Sequence, residues 1–288
     1  MPGLALADAG PVLERLAPAL LFSDVDGTLV GRDGSLLADL DGKPTLVAAE
    51  ALVAAHLAGL EVVLVSGRTA DQLRETGRLL GTRDAVAELG TVLVWGREVE
   101  LVWGEAPRDL GDSPAQALDR SGALAAVLEG LAGRIEPHTP WHLGRRGTFL
   151  LRGQVEPAEA DALLADRGLG WARLVDNGRL RGAYPHLGPG PTHAYHLLPA
   201  GVSKAGTAAA YLAGRGLDPA RAAAIGDSPA DLQLAGVVGA MFLVANGAWA
   251  ADGDPGTPVI VTPSAAGQGW AEAVSALLAR MRPPGDPG

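Results

Sequence analysis

The strongest constraint on the fold is the run Leu20-Leu21-Phe22-Ser23, which leads straight into Asp24-Val25-Asp26-Gly27-Thr28. A short apolar run of this kind predicts a strand buried on both faces, as in a parallel sheet covered by helices. It ends in two carboxylates one residue apart, and no Lys or Arg stands between Ala17 and Gly31 to neutralise them. Removing a carboxylate from water costs several kcal/mol unless a cation or donors compensate it. In open α/β sheets the carboxyl ends of the strands form the ligand crevice. The pair therefore marks a candidate metal and reaction site, the plain alternative being a solvated Asp-Gly turn. A calcium loop fits poorly, because its twelfth position would be Ser35 rather than Glu and a strand, not a helix, precedes it.

The same rhythm recurs along the chain. A short helix is expected over 11–20, and Gly31–Thr45 is a polar, turn-rich flap. Helical spacing from Leu46 to Leu57 stops at Gly59, and Glu61–Val65 is a second apolar strand ending in Ser66-Gly67-Arg68. A helix over 70–80 and a third strand at Ala85–Leu89 complete a βαβαβ pattern, the signature of a parallel sheet. From Val92 the pattern changes to a hairpin around Gly96-Arg97, a helix at 115–131, a strand at 147–155, a helix at 156–167 and a hairpin about Asp176-Asn177-Gly178. After Pro199 the βα alternation returns, with a helix over 203–214, strands at 221–225, 237–244 and 259–261, and a closing helix at 267–280. The expectation is an α/β protein with a Rossmann-like parallel-sheet core, residues 11–90 and 191–280. An α+β domain, 91–190, is inserted into it, and a flexible tail, 281–288, follows.

Composition removes several classes of function. The chain has 288 residues, enough for two domains, and no cysteine, so disulfides, thiolate zinc sites and cysteine nucleophiles are excluded. A net charge of −10 argues against a nucleic-acid partner. No apolar run reaches the length of a membrane span, and no basic segment precedes an apolar one at the N-terminus. Cytoplasm is the expected location.

Four sequence-distant sites fall where a strand meets a loop or a loop meets a helix. The first is Asp24-x-Asp26-Gly27-Thr28. The second is Ser66, whose hydroxyl and neighbouring backbone N–H groups suit phosphate oxygens, although alone it reads as a helix cap. The third is Lys204, which lies at a helix start, where the dipole disfavours a cation unless an anion is near. The fourth is Gly226-Asp227-Ser228-Pro229-Ala230-Asp231. A capping box accounts for Ser228 and Asp231 there but leaves Asp227 unexplained. A near-duplicate, Gly111-Asp112-Ser113-Pro114-Ala115-Gln116, follows no strand and reads as a plain helix cap.

In identity, order and spacing these four motifs resemble those of the haloacid dehalogenase superfamily of phosphohydrolases, and the resemblance covers nearly the whole chain. The long insertion is similar to the larger α/β cap of the sugar-phosphatase branch, which includes sucrose-phosphate and mannosyl-3-phosphoglycerate phosphatases. The resemblance implies Asp24 as nucleophile and Asp26 as general acid and base. It implies Mg²⁺ held by Asp24, Asp227 and the Asp26 carbonyl, and phosphate bound by Thr28, Ser66, Gly67 and Lys204. Asp231 and Asn246 would support these groups from behind. One departure is Ala230, where the branch commonly has Asn.

The inserted domain holds His138, Trp141, His142, Arg145 and Arg146, with Tyr184 and His186 near its end. Of these, His142, Arg145 and Arg146 are the candidate substrate residues, since Arg binds carboxylate or phosphate bidentately. A three-histidine zinc site lacks regular spacing. The reading is a phosphatase of a small phosphorylated metabolite, a sugar phosphate above all. A phosphosugar mutase is the rival, and a non-catalytic binder of phosphometabolites is a third reading, against which the retention of both Asp24 and Asp26 speaks.

Overall fold

In the computed structural model, which describes residues 3–180, 182–247 and 258–281, the Leu20–Ser23 strand lies inside a parallel ladder. From the edge inward the order is Leu4–Ala5, Val259–Val261, Ala240–Leu243, Ala222–Gly226, Leu20–Ser23 and Glu61–Val65. Phe22 stands opposite Ala224 on one side and Val63 on the other. All four residues of its strand are buried, as the apolar run requires of a strand covered on both faces. The chain divides into two compact units. One takes the chain up to Ser66, Arg74–Ala85 and everything from Lys204 onward, and the other takes Gly67–Leu73 and Val86–Ser203.

In the first unit the Val47–Ala58 helix ends at Gly59, whose φ of 78° supplies the left-handed C-terminal turn. The Ala266–Leu278 helix buries Trp270, and the Trp270 indole N–H donates to Ser23 Oγ at 2.9 Å. The Lys204–Gly214 helix is fastened near its far end. Tyr211 packs edge-on against Phe22 and donates its hydroxyl hydrogen to Asp84 Oδ2 at 2.7 Å. Arg215, one residue past the helix, donates to Glu61 Oε1 at 2.9 Å and Oε2 at 3.0 Å.

The second unit contains a four-stranded antiparallel sheet in the order Ile135–Pro137, Phe149–Gly153, His193–Pro199, Ala172–Arg179. Helices Pro114–Arg120, Ala123–Gly130 and Pro157–Asp166 contribute Leu118, Val127 and Leu164 to a core shared with Leu151, Leu174 and Leu197. The Val92–Trp95 and Glu98–Leu101 strands pair as the expected hairpin.

Three local expectations are corrected. The helix expected over 115–131 is two helices, broken at Gly122 with φ 80°. The hairpin expected about Asp176-Asn177-Gly178 is a single strand that runs through this Asx-type turn, with Gly178 N donating to Asp176 Oδ1 at 2.7 Å. Its ladder partner is His193–Pro199, for which the sequence predicts no element, and the register shifts between His193 and Tyr195. The third strand stops at Ala87, because Glu88 and Leu89 adopt positive φ. The Ser113 cap is present as expected, accepting from Gln116 N at 3.2 Å. The expected tail falls outside the described residues beyond Met281.

Candidate active site

Asp24 leaves its strand with its backbone N–H still bonded to Ile225 O at 3.0 Å, so the carboxylate is carried on the rigid end of the ladder. Ser23 Oγ donates to Asp24 O at 2.8 Å and fixes the next peptide. The loop then folds back, with Thr28 N and Val30 N both donating to Val25 O. Gly27 takes φ 83°, and a Cβ there would collide with Asp227 Oδ2. This turn therefore needs glycine both for its backbone and for the approach of the third aspartate.

Lys204 is buried and bridges two carboxylates, Asp24 Oδ1 at 2.9 Å and Asp231 Oδ1 at 2.7 Å. Its unfavourable place at a helix start is thus compensated by two anions. Asp231 Oδ2 accepts from Ser228 Oγ at 2.6 Å and from the backbone N–H of Ser228 at 3.1 Å and of Asp227 at 3.3 Å, so both of its oxygens are engaged. Asn246 donates through Nδ2 to Gly27 O at 2.9 Å and Asp227 Oδ2 at 3.1 Å, and accepts from Ala266 N at 2.9 Å. One amide therefore ties together the first motif, the last motif and the start of the closing helix. Asp26 is exposed, and Ser66 is buried at the end of the Glu61–Val65 strand. Thr28 Oγ1 is buried and has no hydrogen-bond partner among the described residues, which is unusual for a hydroxyl unless a ligand meets it.

The electrostatics are those of crowded anions around one cation. Burial, with Asp231 and Asp227 nearby, raises the Asp24 carboxyl well above the usual carboxylate range, and Lys204 offsets part of that rise. Burial and the Asp231 charge push Asp227 up to about 7. Burial works against the Lys204 ammonium, yet Asp231 and Asp24 hold it above its ordinary value. Carboxylate oxygens of Asp24, Asp227 and Asp231 all lie within 4.8 Å of one another, a donor set suited to a cation. Three hard oxygen donors and no His or Cys among them fit a hard divalent ion rather than zinc or copper. Asp24 and Asp227 are the members with capacity to spare, because Asp231 is taken by Lys204 and its own helix start.

In the second unit, a Cβ on Gly67 would stand 3.0 Å from both Asn177 Nδ2 and His196 Nε2, so a side chain there would be crowded. Arg145 donates through Nη1 to Gly67 O at 2.9 Å. Arg146 is exposed and His142 partly buried. Glu88 and His196 are not singled out by the sequence, and Asn177 only as a turn residue. Glu88 is fully buried, and its carboxylate accepts from Arg146 N, Gly147 N, Thr148 N and Thr148 Oγ1 at 3.0–3.1 Å. The signal for it was an acid directly after the apolar Ala85-Val86-Ala87.

No protein-family model matches the chain, and no curated protein matches it in sequence. Solved structures do match over nearly its whole length. Sucrose-phosphatase from Synechocystis sp. PCC6803, in complex with sucrose and phosphate, is 16% identical, with a TM-score of 0.62 over 91% of this chain and 98% of that one. A haloacid dehalogenase-like hydrolase from Bacteroides thetaiotaomicron is 16% identical, with a TM-score of 0.59 over 90% and 98%. The HAD subclass IIB sugar phosphatase BT4131 is 18% identical, with a TM-score of 0.56 over 89% and 97%. The chain has the fold of the haloacid dehalogenase-type hydrolases, a parallel-sheet unit and a second α+β unit. Among the described residues, no helix is long and apolar enough to cross a membrane.

Proposed function

We propose that this chain is a Mg²⁺-dependent phosphatase that hydrolyses a phosphomonoester of a small metabolite, in particular a sugar phosphate, through an aspartyl-phosphate on Asp24. The observation that carries the proposal is the buried Asp24 carboxylate, 2.9 Å from Lys204 and grouped with two further aspartates at the carboxyl ends of adjacent strands. That two proteins of the same fold are named as sugar phosphatases supports the substrate class.

Phosphoryl transfer needs positioning and charge neutralisation more than elaborate covalent chemistry. The Lys204 ammonium favours the ionised form of Asp24, which attack on phosphorus requires. Asp26, exposed on the same loop, is the group to donate a proton to the leaving oxygen and then take one from the water that releases the phosphate. Thr28 Oγ1 and Ser66 offer hydroxyl hydrogens to phosphate oxygens, with Lys204 and the N–H of Gly67 as further donors. Mg²⁺ held by Asp24, Asp227 and the Asp26 carbonyl would supply charge neutralisation to the phosphate when bound.

The test is release of phosphate from p-nitrophenyl phosphate and from a panel of sugar phosphates with Mg²⁺. Asp24→Asn keeps the shape of the side chain and removes the nucleophile, so turnover should fall by more than about 10²-fold, roughly 2.7 kcal/mol of barrier. A smaller loss, with the variant folded, would refute a covalent role.

A further inference from the structure

In the first unit, the closing helix Ala266–Leu278 packs against the back of the loop that carries Asp24 and Asp26. A Cβ on Gly267 would stand 3.2 Å from Leu29 O, so the first turn of the helix lies close against that loop. Two hydrogen-bonded chains run from the helix into it. Ala266 N donates to Asn246 Oδ1 at 2.9 Å, and the same amide donates through Nδ2 to Gly27 O and Asp227 Oδ2. Trp270 Nε1 donates to Ser23 Oγ at 2.9 Å, and Ser23 Oγ donates to Asp24 O at 2.8 Å. Ala266 adopts φ 45°, a conformation that residues other than glycine seldom take, and backbone outliers of this kind gather at functional sites.

The second chain can run in one direction only. An indole nitrogen is a donor and nothing else, whereas a hydroxyl has one hydrogen and two lone pairs. Trp270 and Ser23 are both fully buried, so water does not compete for either group. With the indole hydrogen on a lone pair of Ser23 Oγ, the hydroxyl hydrogen is turned toward Asp24 O, and each bond polarises the next. Asp24 N donates to Ile225 O at 3.0 Å. The Asp24 backbone is therefore pinned on both sides of its Cα, by the sheet at the N–H and by Trp270, through Ser23, at the carbonyl. A buried indole needs an acceptor, and any backbone carbonyl would serve. Here the acceptor is the hydroxyl that directly precedes Asp24, 247 residues away in the chain.

We propose that Trp270 is a positioning residue: acting through Ser23, it fixes the peptide that follows Asp24, and so aims the Asp24 carboxylate and the turn that bears Asp26 and Thr28. That this aim serves attack on phosphorus rests on the phosphatase reading, whereas the hold on the loop does not. A reacting group displaced by about 1 Å can cost on the order of 10²-fold in rate. Release of the Asp24 carbonyl should therefore lower kcat. It should spare KM, because Ser66 and Lys204 stand on other elements and keep their places.

The test replaces Trp270 by benzothienylalanine, which keeps the shape of the ring and puts sulfur in place of the N–H, so that packing alone is not disturbed. The first measurement is amide hydrogen exchange on the intact protein without added metal. It follows the Thr28 and Val30 amides, both bonded to Val25 O, against those of the Lys204–Gly214 helix. Exchange of the two loop amides should speed up by at least about twofold, the lower scale of one net hydrogen bond, with the helix unchanged. A smaller change, or an equal one in the helix, overturns the hold. The second measurement is turnover of p-nitrophenyl phosphate with Mg²⁺. The substitution should lower kcat by at least about threefold and leave KM within about twofold. Ser23→Ala should do the same, and the two changes combined should lower kcat no further than Ser23→Ala alone. A kcat that survives the substitution overturns the aiming role, as do losses that multiply in the double variant, since Trp270 would then act by a route other than Ser23. Failure of wild type to hydrolyse p-nitrophenyl phosphate would instead count against the phosphatase reading, and the exchange rates would still decide for or against the hold.

Discussion

Asp227 is the site at which charge crowding can be weighed. Its carboxyl is pushed from an ordinary 3.8 up to about 7, by burial first and then by Asp231. A difference of about three units, at 1.36 kcal/mol each, sets a ceiling near 4 kcal/mol on what ionising this group costs the folded protein. Because the native pKa exceeds the unfolded one, the native state binds more protons between pH 4 and 7. The contribution of Asp227 to the stability of the metal-free protein should therefore be highest below about pH 4, fall as pH rises to about 7, and level off above it. Asp227→Asn removes the charge and keeps an oxygen to accept from Asn246 Nδ2. Relaxation of neighbouring groups will take up part of the ceiling, so the variant should gain about 1–3 kcal/mol at pH 8, a rise in Tm of roughly 3–8 °C. It should gain nothing at pH 4, where wild-type Asp227 is already neutral. Millimolar Mg²⁺ at pH 8 should stabilise wild type and leave the variant unmoved. Scanning calorimetry of metal-free protein at both pH values reads all of this. A variant no more stable than wild type at pH 8, or equally shifted at pH 4 and pH 8, would refute the reasoning.

Two further outcomes follow from buried charges. Lys204→Met leaves Asp24 and Asp231 buried without their cation and should cost about 3–5 kcal/mol in chemical denaturation at pH 7, together with loss of phosphate release; a cost below about 1 kcal/mol would mean that the pair is effectively solvated. Glu88→Gln places an NH₂ group against backbone donors that now meet a carboxylate oxygen, and should cost about 2–4 kcal/mol by the same measurement. Stability unchanged in that variant would show that the 146–148 loop does not depend on the carboxylate.

What could be read from the sequence was whatever chemistry forces into a short, local pattern. Asp24 stood out because an apolar strand ended in acids, and Lys204 because a cation sits badly at a helix start. The structure brings these two within 2.9 Å, although 180 residues separate them. The shared hold of Lys204 on Asp231 was not visible, since Asp231 is already accounted for by its capping box. His193–Pro199 was missed because His193, His196 and Pro199 blur its alternation, and its strand character comes from pairing on both sides with Phe149–Gly153 and Ala172–Arg179. The Asn-Gly pair at 177–178 is a strong local hairpin signal, and it was overridden by that long-range pairing. The partners of Glu88 were unreadable for a related reason, because they lie about 60 residues away and are mostly backbone N–H groups, which carry no sequence signature.

The two-ended fastening of the Lys204–Gly214 helix bears on when order is acquired. A free lysine side chain carries about 2 kcal/mol of rotamer entropy, which an incoming anion would otherwise have to overcome. Here Asp24 and Asp231 hold the ammonium, while Tyr211 on Asp84 and Arg215 on Glu61 keep the other end of the helix from sliding away. The disorder of that side chain is therefore lost once, when the protein folds. Each arriving ligand meets a charge already in place.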